Sequence, residues 1–485
     1  MNRRSFLTSA TAAGLTRAAS LSAASLTPVV PSQQKVIIAG GGLAGLSCAY
    51  ELKKRGFQVV VLEGQGRVGG RVQTLREGLY PGLTAEAGAT RIPDTHELTL
   101  SYVREFGLQL EVLTGGDLAE VVRVRGHNYV VGKGSEPDWP FKLSPEERRL
   151  GRSGLLKQYL AGPLAQLIGS EDARQIPESI LALDRFTIQE YLAKQGLSSE
   201  AIELMMPSTN TSVSYALLLT VMLNGQALKN YFHIRGGNDQ LPAALAEKLG
   251  GTVRFGCRIL SIGQDDRSAW AVIERGGECE TVRGDYVVSA LPFSVSRNLF
   301  VEARLSPEKQ HVVRNLNYAP VHKVFLQMRE QFWRSRGQSG SAQADDLMSD
   351  RFSALGLGSA QERGLIRSEV FRNAVKLDEM DEEARVQTTL AEAEVLFPGS
   401  REHFEAARSK SWRLDPWQQG ALPLFGPGQL SFIAAGARRE GRVLFAGEHT
   451  SRWHGWMQGA FESAQRVVGE IWDDMDQDFA SAGLR

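Results

Sequence analysis

The first strong pattern along this chain is a short, wholly apolar run, Val36-Ile37-Ile38-Ala39, of the kind that forms a strand covered on both faces. A helical run from Leu46 to Lys54 follows, then a second apolar run from Val59 to Leu62, and the three predict a βαβ unit. Further on, Ser144-Pro145-Glu146-Glu147 offers an N-cap, a proline at the first helical position and a first-turn carboxylate. Thr187-x-x-Glu190 is a capping box ahead of a helix that stops at Gly196. Residues 131–235 therefore read as a helical insertion. Beyond Gly236-Gly237 the pattern predicts a helix from Gln240 to Leu249 and strands over Thr252 to Phe255, Trp270 to Glu274 and Tyr286 to Leu291. Residues 301–432 mix strands (Lys323 to Met328, Leu365 to Phe371) with a long helix from Glu382 to Leu396. A last apolar strand, Val443 to Ala446, precedes Gly447-Glu448-His449-Thr450 and a helix starting near Gln458. The expected class is α/β: a discontinuous Rossmann-like domain (32–96, 236–300 and 433–475), an α+β domain (97–130 and 301–432) and the helical insertion.

Between the first strand and its helix, Gly40, Gly42 and Gly45 stand in G-x-G-x-x-G spacing. The first glycine allows the tight turn, the second lets backbone approach a pyrophosphate, and the third packs helix on strand. Glu63 lies 23 positions after Gly40, at the end of the second apolar run, where a carboxylate can accept from a ribose hydroxyl. An arginine suited to an NADP phosphate is not at that position. A second glycine pair follows in Arg67-Val68-Gly69-Gly70-Arg71, where backbone N–H groups can approach phosphate and Arg71 supplies charge. Together these features read as a site for FAD.

Composition narrows the partners. The 485 residues suffice for about two to four domains. Lys plus Arg and Asp plus Glu both total 55, with no block of like charge, so nucleic acid is not an expected partner. Cys48, Cys257 and Cys279 form neither a disulfide framework nor a ligand set, and the eight His are scattered, so no metal is expected. No run reaches the ~20 apolar residues of a membrane helix; the longest candidate is Tyr215 to Leu223. Met1-Asn2-Arg3-Arg4-Ser5-Phe6-Leu7 and the Ala/Ser/Thr-rich stretch after it, through residue 31, resemble a twin-arginine export signal, although Asn2 and Arg17 depart from the pattern. Export to the periplasm or beyond is the expectation, with the cytoplasm as the alternative and cleavage left open.

Four motifs now stand together: Arg67 to Arg71; Glu86-Ala87-Gly88-Ala89-Thr90-Arg91-Ile92-Pro93; Gly236-Gly237-Asn238-Asp239-Gln240-Leu241-Pro242; and Phe445-Ala446-Gly447-Glu448-His449-Thr450. Over about residues 35–470 they resemble the flavin amine oxidase superfamily. Within it, Arg91 and the Gly455-Trp456 pair make the chain most similar to the FAD-dependent L-amino-acid oxidases. The resemblance implies a cofactor site that includes Leu43, Ala44, Gly64, Gly70 and Arg71. Gly88, Ala89, Thr90 and Ile259 belong to it, with Gly447 and Glu448. Gly455, Trp456, Met457 and Ala460 complete it, the helix start there presenting backbone donors toward the cofactor. Arg91 becomes the clamp for a substrate carboxylate and Trp456 a wall of the pocket. Lys323, opening a strand that ends at Phe332-Trp333, is implied to hold a water against the flavin, although a strand lysine ordinarily faces solvent.

Three positions depart from the pattern. Ala421, in Trp417-Gln418-Gln419-Gly420-Ala421-Leu422, stands where some amine oxidases attach FAD through cysteine, so FAD is expected to be non-covalent. Leu422 stands where amine oxidases place an aromatic cage residue, which speaks against a simple monoamine. Glu369 falls near a pocket tyrosine of amino-acid oxidases; facing solvent it is unremarkable, and facing the pocket it would favour a cationic or amide side chain. The activity implied is oxidation of an L-α-amino acid by hydride transfer to flavin, followed by hydrolysis to a 2-oxo acid and ammonia, with oxygen reduced to hydrogen peroxide. A primary amine or polyamine oxidase is the alternative, as is a flavin amino-acid dehydrogenase or monooxygenase with low oxidase activity. A homodimer is compatible with the resemblance, and the oligomeric state stays open.

Overall fold

The computed structural model describes residues 33–113, 118–167, 176–225, 229–300, 302–355 and 363–481. The expected export signal lies outside the described residues. Lys35–Ala39 is the central strand of a five-stranded parallel sheet. On one side it pairs with Gln58–Leu62 and then Val253–Arg254; on the other with Tyr286–Ser289 and then Val443–Phe445. Parallel strands need covering on both faces, and the apolar side chains of Val36, Ile37, Ile38 and Ala39 are fully buried. The helix Leu43–Lys54 and the carboxy-terminal helix Met457–Ser481 pack together against this sheet. Chain order reverses at the central strand, which puts a crevice at the end of Lys35–Ala39.

A seven-stranded sheet stands apart, in the order Phe404–Ser411, His322–Met328, Gly364–Val370, Arg351–Leu355, Gln338–Ala344, Ala119–Val124, His127–Val131. Its strands pair antiparallel except for Gln338–Ala344 with Ala119–Val124. The helices Gln240–Leu249 and Glu382–Leu396 have the limits expected from the sequence. Both capping boxes form: Ser144 and Glu147 exchange bonds of 2.8 and 3.3 Å, Thr187 and Glu190 bonds of 2.9 and 3.1 Å.

Three expectations need correcting. The strand carrying Lys323 ends at Met328, the shorter of the two limits given for it, and does not run on to Phe332-Trp333: its pairing with Phe404–Ser411 is irregular at Met328, and Phe332–Arg336 forms a short 3₁₀ turn. Tyr231–Ile234, counted with the helical segment, is a strand between Ile92–Pro93 and Leu110–Leu113. Residues 97–113, expected with the α+β part, pack on the parallel-sheet core instead. Tyr102 stacks on Phe461 at 4.6 Å, and Thr99 N–H donates to Gln458 Oε1 at 3.1 Å. The amphipathic helix Glu97–Glu105 offers an apolar stripe, and which core takes it is decided by the long-range neighbours.

Gly45 holds the first helix against the central strand, since a Cβ there would lie 2.0 Å from the Gly40 carbonyl oxygen and 3.0 Å from Ile38 Cγ2. Replacing Gly45 with alanine should force that helix outward and destabilise the protein by about 1–3 kcal/mol. Urea unfolding of the variant against wild type measures it, and an unchanged midpoint would contradict the packing role.

Candidate active site

A cavity of about 910 Å³ runs along the carboxyl ends of the parallel strands and reaches the second sheet. That size lies near the top of the ~300–1,000 Å³ range of small-molecule sites. Gly40, Gly42, Leu43 and Ala44 line one end, with Glu63 and Gly64 from the next strand, then Gly447 and Glu448 from the last. Gly42 caps the helix Leu43–Lys54 without a side-chain cap, and a Cβ there would meet nothing within 4 Å. First-turn N–H groups are therefore free to bind an anion in the crevice. The Glu63 carboxylate accepts from Gly41 N–H at 2.7 Å and Gln65 N–H at 2.8 Å, which fixes it at the strand end with lone pairs to spare for a diol. Burial pushes its carboxyl above the usual range. Gly45 does not line the cavity; its place is between helix and strand. Gly70, Ile259, Met457 and Ala460 complete this wall.

Arg71 lines the cavity, but its charge is already engaged. Its Nη1 lies 2.7 Å from Glu448 Oε1 and donates to the Ala421 carbonyl at 2.9 Å. Glu448 Oε2 accepts from Gly455 N–H at 2.7 Å, so one carboxylate joins the Gly-Gly-Arg motif to the turn carrying Trp456. Trp456 is half-buried, with His96 edge-on to it at 5.0 Å; His96 Nε2 in turn lies 2.8 Å from the Asn224 carbonyl. Burial lowers the His96 pKa to about 4, so a neutral ring packs there. His96 carried no sequence signal.

The loop Ala87–Arg91 reaches the middle of the cavity, where Gly88, Ala89, Thr90 and Arg91 line it. Asn238 holds this loop: its N–H donates to Glu86 Oε1 at 2.8 Å, and its side-chain amide to the Ala89 and Thr90 carbonyls at 3.0 and 3.2 Å. Lys323 approaches from the second sheet and donates to the Gly88 carbonyl at 2.7 Å. The strand bearing it is buried along its whole length, so this lysine is interior rather than solvent-facing. Burial, with Arg367 close by, lowers its pKa to about 8.

Glu369 faces the cavity. It sits 3.7 Å from Lys323 Nζ and 3.4 Å from Arg367 Nε. Burial alone would raise its pKa, but Arg367, Lys323, Arg351 and Arg91 outweigh it and hold the carboxyl at about 2. Arg351 and Arg367 also line the cavity and were not anticipated. Ala421 and Leu422 line it too, with no nucleophile at the position compared with cysteine-linked enzymes.

The family model for flavin-containing amine oxidoreductases matches residues 43–472. The chain belongs to that family, with an α/β FAD-binding fold, FAD as its cofactor, and oxidation at CH–NH₂ groups as its class of reaction. An L-amino-acid oxidase from Notechis scutatus scutatus is 28% identical over 451 residues, covering 90% of this chain and 86% of the relative. L-amino acid oxidase Lm29 from Lachesis muta is 29% identical over 458 residues, with 90% and 86% covered. Among solved structures, cyclohexylamine oxidase from Brevibacterium oxydans IH-35A superposes with a TM-score of 0.77 at 21% identity, covering 91% of this chain and 99% of the other. A putrescine oxidase bound to putrescine gives 0.75 at 21%, with the same coverage. Among the described residues no helix is long and apolar enough to cross a membrane.

Replacing Arg71 by methionine would leave Glu448 buried without its cation. The cost should be about 3–5 kcal/mol, with weaker retention of FAD, both read by thermal unfolding followed through flavin fluorescence. A variant as stable and as yellow as wild type would show that the pair does not organise the site.

Proposed function

We propose that this oxidoreductase acts on L-α-amino acids, and Arg91 is the observation that carries the reading. Among the described residues Arg91 makes no hydrogen bond or ion pair, its guanidinium lies 5.6 Å from the Tyr231 ring centre, and it is exposed to the cavity. A cation held on a fixed loop with an unused fork of donors suits a carboxylate. The L-amino-acid oxidases at 28–29% identity support the same choice.

In this reading Gly40, Gly42 and the first turn of the helix hold the pyrophosphate, Glu63 the ribose, and Gly70, Gly88, Gly447 and Met457 close around the rest of the cofactor. FAD, when bound, supplies the two-electron acceptor. Arg91 takes the substrate carboxylate and Trp456 bounds the side of the pocket, so that the α-carbon is placed by two contacts and the amine is left free to lose its proton to water. Positioning of this kind supplies most of the acceleration. The substrate gives up its α-hydrogen with the bonding electron pair and one proton from nitrogen. The resulting imine takes up water and releases ammonia, while oxygen accepts two electrons and two protons to give hydrogen peroxide. Lys323 can hold a water on the Gly88 side, and its ammonium places positive charge where negative charge accumulates.

Anaerobic bleaching of the yellow protein tests the reading. L-Amino acids should reduce it, while their D-enantiomers and the matching decarboxylated amines should not. Arg91→Met should raise the apparent KM for L-amino acids at least about thirty-fold. Bleaching by the amines with no effect of the substitution would move the protein to amine oxidation.

A lysine is charged below its pKa and neutral above it, so turnover should fall as pH rises through about 8. Lys323→Met should lower turnover and remove that falling limb. A limb that survives in the variant would assign it to another group.

A further inference from the structure

Strand register brings a row of charge to one wall of the cavity. Lys323 on His322–Met328 lies opposite Glu369 on Gly364–Val370, and Glu369 lies opposite Arg351 on Arg351–Leu355. Neighbours in such a row share a face, and Arg367, two residues before Glu369, projects to that face as well. Arg91 comes in from the loop across the cavity, and all five residues line it. Four cations thus surround a single carboxylate.

Each of three cations has a counterpart. Arg367 is paired with Glu369 at 3.4 Å and donates from Nη1 to Thr90 Oγ1 at 3.0 Å. Lys323 is taken up by the Gly88 carbonyl and by the cofactor side of the cavity. Arg91 is assigned to the α-carboxylate. Arg351 remains, exposed at the cavity, its side chain making no hydrogen bond or ion pair among the described residues. Glu369, opposite it on the next strand, attracts Arg351 but is shared with Arg367, Lys323 and Arg91, and much of the rest of the wall is apolar, including Val213, Leu217, Val221 and Phe371. A monocarboxylate substrate would leave that guanidinium unmatched. A cationic side chain would enter a wall that carries four cations to one carboxylate.

Resting on the L-amino-acid reading above, we infer that the substrate carries a second carboxylate on its side chain, bound by Arg351: the enzyme takes acidic L-amino acids. The overall reaction is then L-glutamate or L-aspartate plus oxygen and water giving the 2-oxo dicarboxylate, ammonia and hydrogen peroxide. Glu369 serves to hold Arg367 and Lys323 in place and does not recruit a cation.

The test uses the holoenzyme and compares kcat/KM for L-glutamate and L-aspartate with L-glutamine, L-asparagine, L-leucine, L-lysine and L-arginine. At least one acid should exceed its own amide by about ten- to a hundred-fold. Arg351→Met should collapse that acid-to-amide ratio, chiefly through KM, and Arg351→Lys should restore part of it; flavin content reports whether each variant is folded. The ratio in wild type stands as a test even where a variant fails to fold. Amides, leucine or basic amino acids oxidised better than both acids would overturn the inference while leaving the L-amino-acid reading intact. Oxidation of putrescine or cyclohexylamine, with no L-amino acid turned over, would overturn the reading itself. A ratio unchanged in a folded Arg351→Met would also overturn the assignment to Arg351.

Discussion

A carboxylate shut away from water is costly unless its lone pairs are met, and Glu86 is met by groups from separate stretches of chain. Its Oε1 accepts from Asn238 N–H at 2.8 Å and its Oε2 from Thr74 Oγ1 at 3.0 Å. Burial still pushes its pKa up to about 7, which measures how dry the location is. The arrangement orients Asn238, whose amide then holds the Ala89 and Thr90 carbonyls, and so sets the exit of the loop toward Arg91. Asn238 also accepts from Ile234 N–H at 2.8 Å, tying the loop to the strand that pairs with Ile92–Pro93. The residue assigned to the substrate thus inherits its position from a buried carboxylate that touches no substrate.

The second sheet supplies the opposite wall under a related constraint. A lysine on a strand buried along both faces needs acceptors, and Lys323 finds them in the Gly88 carbonyl at 2.7 Å and the Glu86 carbonyl at 3.4 Å. The same ammonium therefore stabilises the loop from one side while Asn238 holds it from the other. Glu369 balances part of the charge that Lys323 and Arg367 bring in, and Arg351 adds to it from the next strand. The surplus is positive, in a cavity whose dielectric is lowered by apolar walls. Pocket charge here is a property of three aligned strands and not of any single residue.

That distinction explains what could be read in the sequence. The glycine turn, Glu63 and the flanking strands are local signals, and the five-stranded sheet realises them with Gly40 and Glu63 side by side at its crevice. The helices Gln240–Leu249 and Glu382–Leu396 were legible for the same reason, as were both capping boxes. Arg351 and Arg367 were not. Arg367 is an ordinary arginine in a strand-like run and Arg351 stood in no element expected from the sequence, until the register of Gly364–Val370 with its two neighbours gathers both around Glu369, opposite Lys323. The alternation of Arg367 with Glu369 was the available clue, since residues two apart share a face. Glu369 itself was ambiguous because a strand glutamate reads as solvent-facing unless the sheet is known to close a cavity. His96 had no signal at all; only the fold brings it edge-on to Trp456.

Reading Glu369 as a cation selector assumed a carboxylate with charge to offer. Its neighbours remove that assumption: Coulomb attraction to Arg367, Lys323, Arg351 and Arg91 exceeds the desolvation cost and keeps it ionised down to about pH 2. A carboxylate stabilised so strongly is already answered, and an incoming ammonium would gain little from it while being repelled by the surrounding cations. Lys323 and Glu86, with pKa values of about 8 and 7, are the groups in this network able to change charge near neutrality. Negative charge arriving in the cavity favours the protonated form of both. Both groups hold the loop between Glu86 and Arg91, so the charge state of this network bears on the same loop that carries the arginine assigned to the substrate.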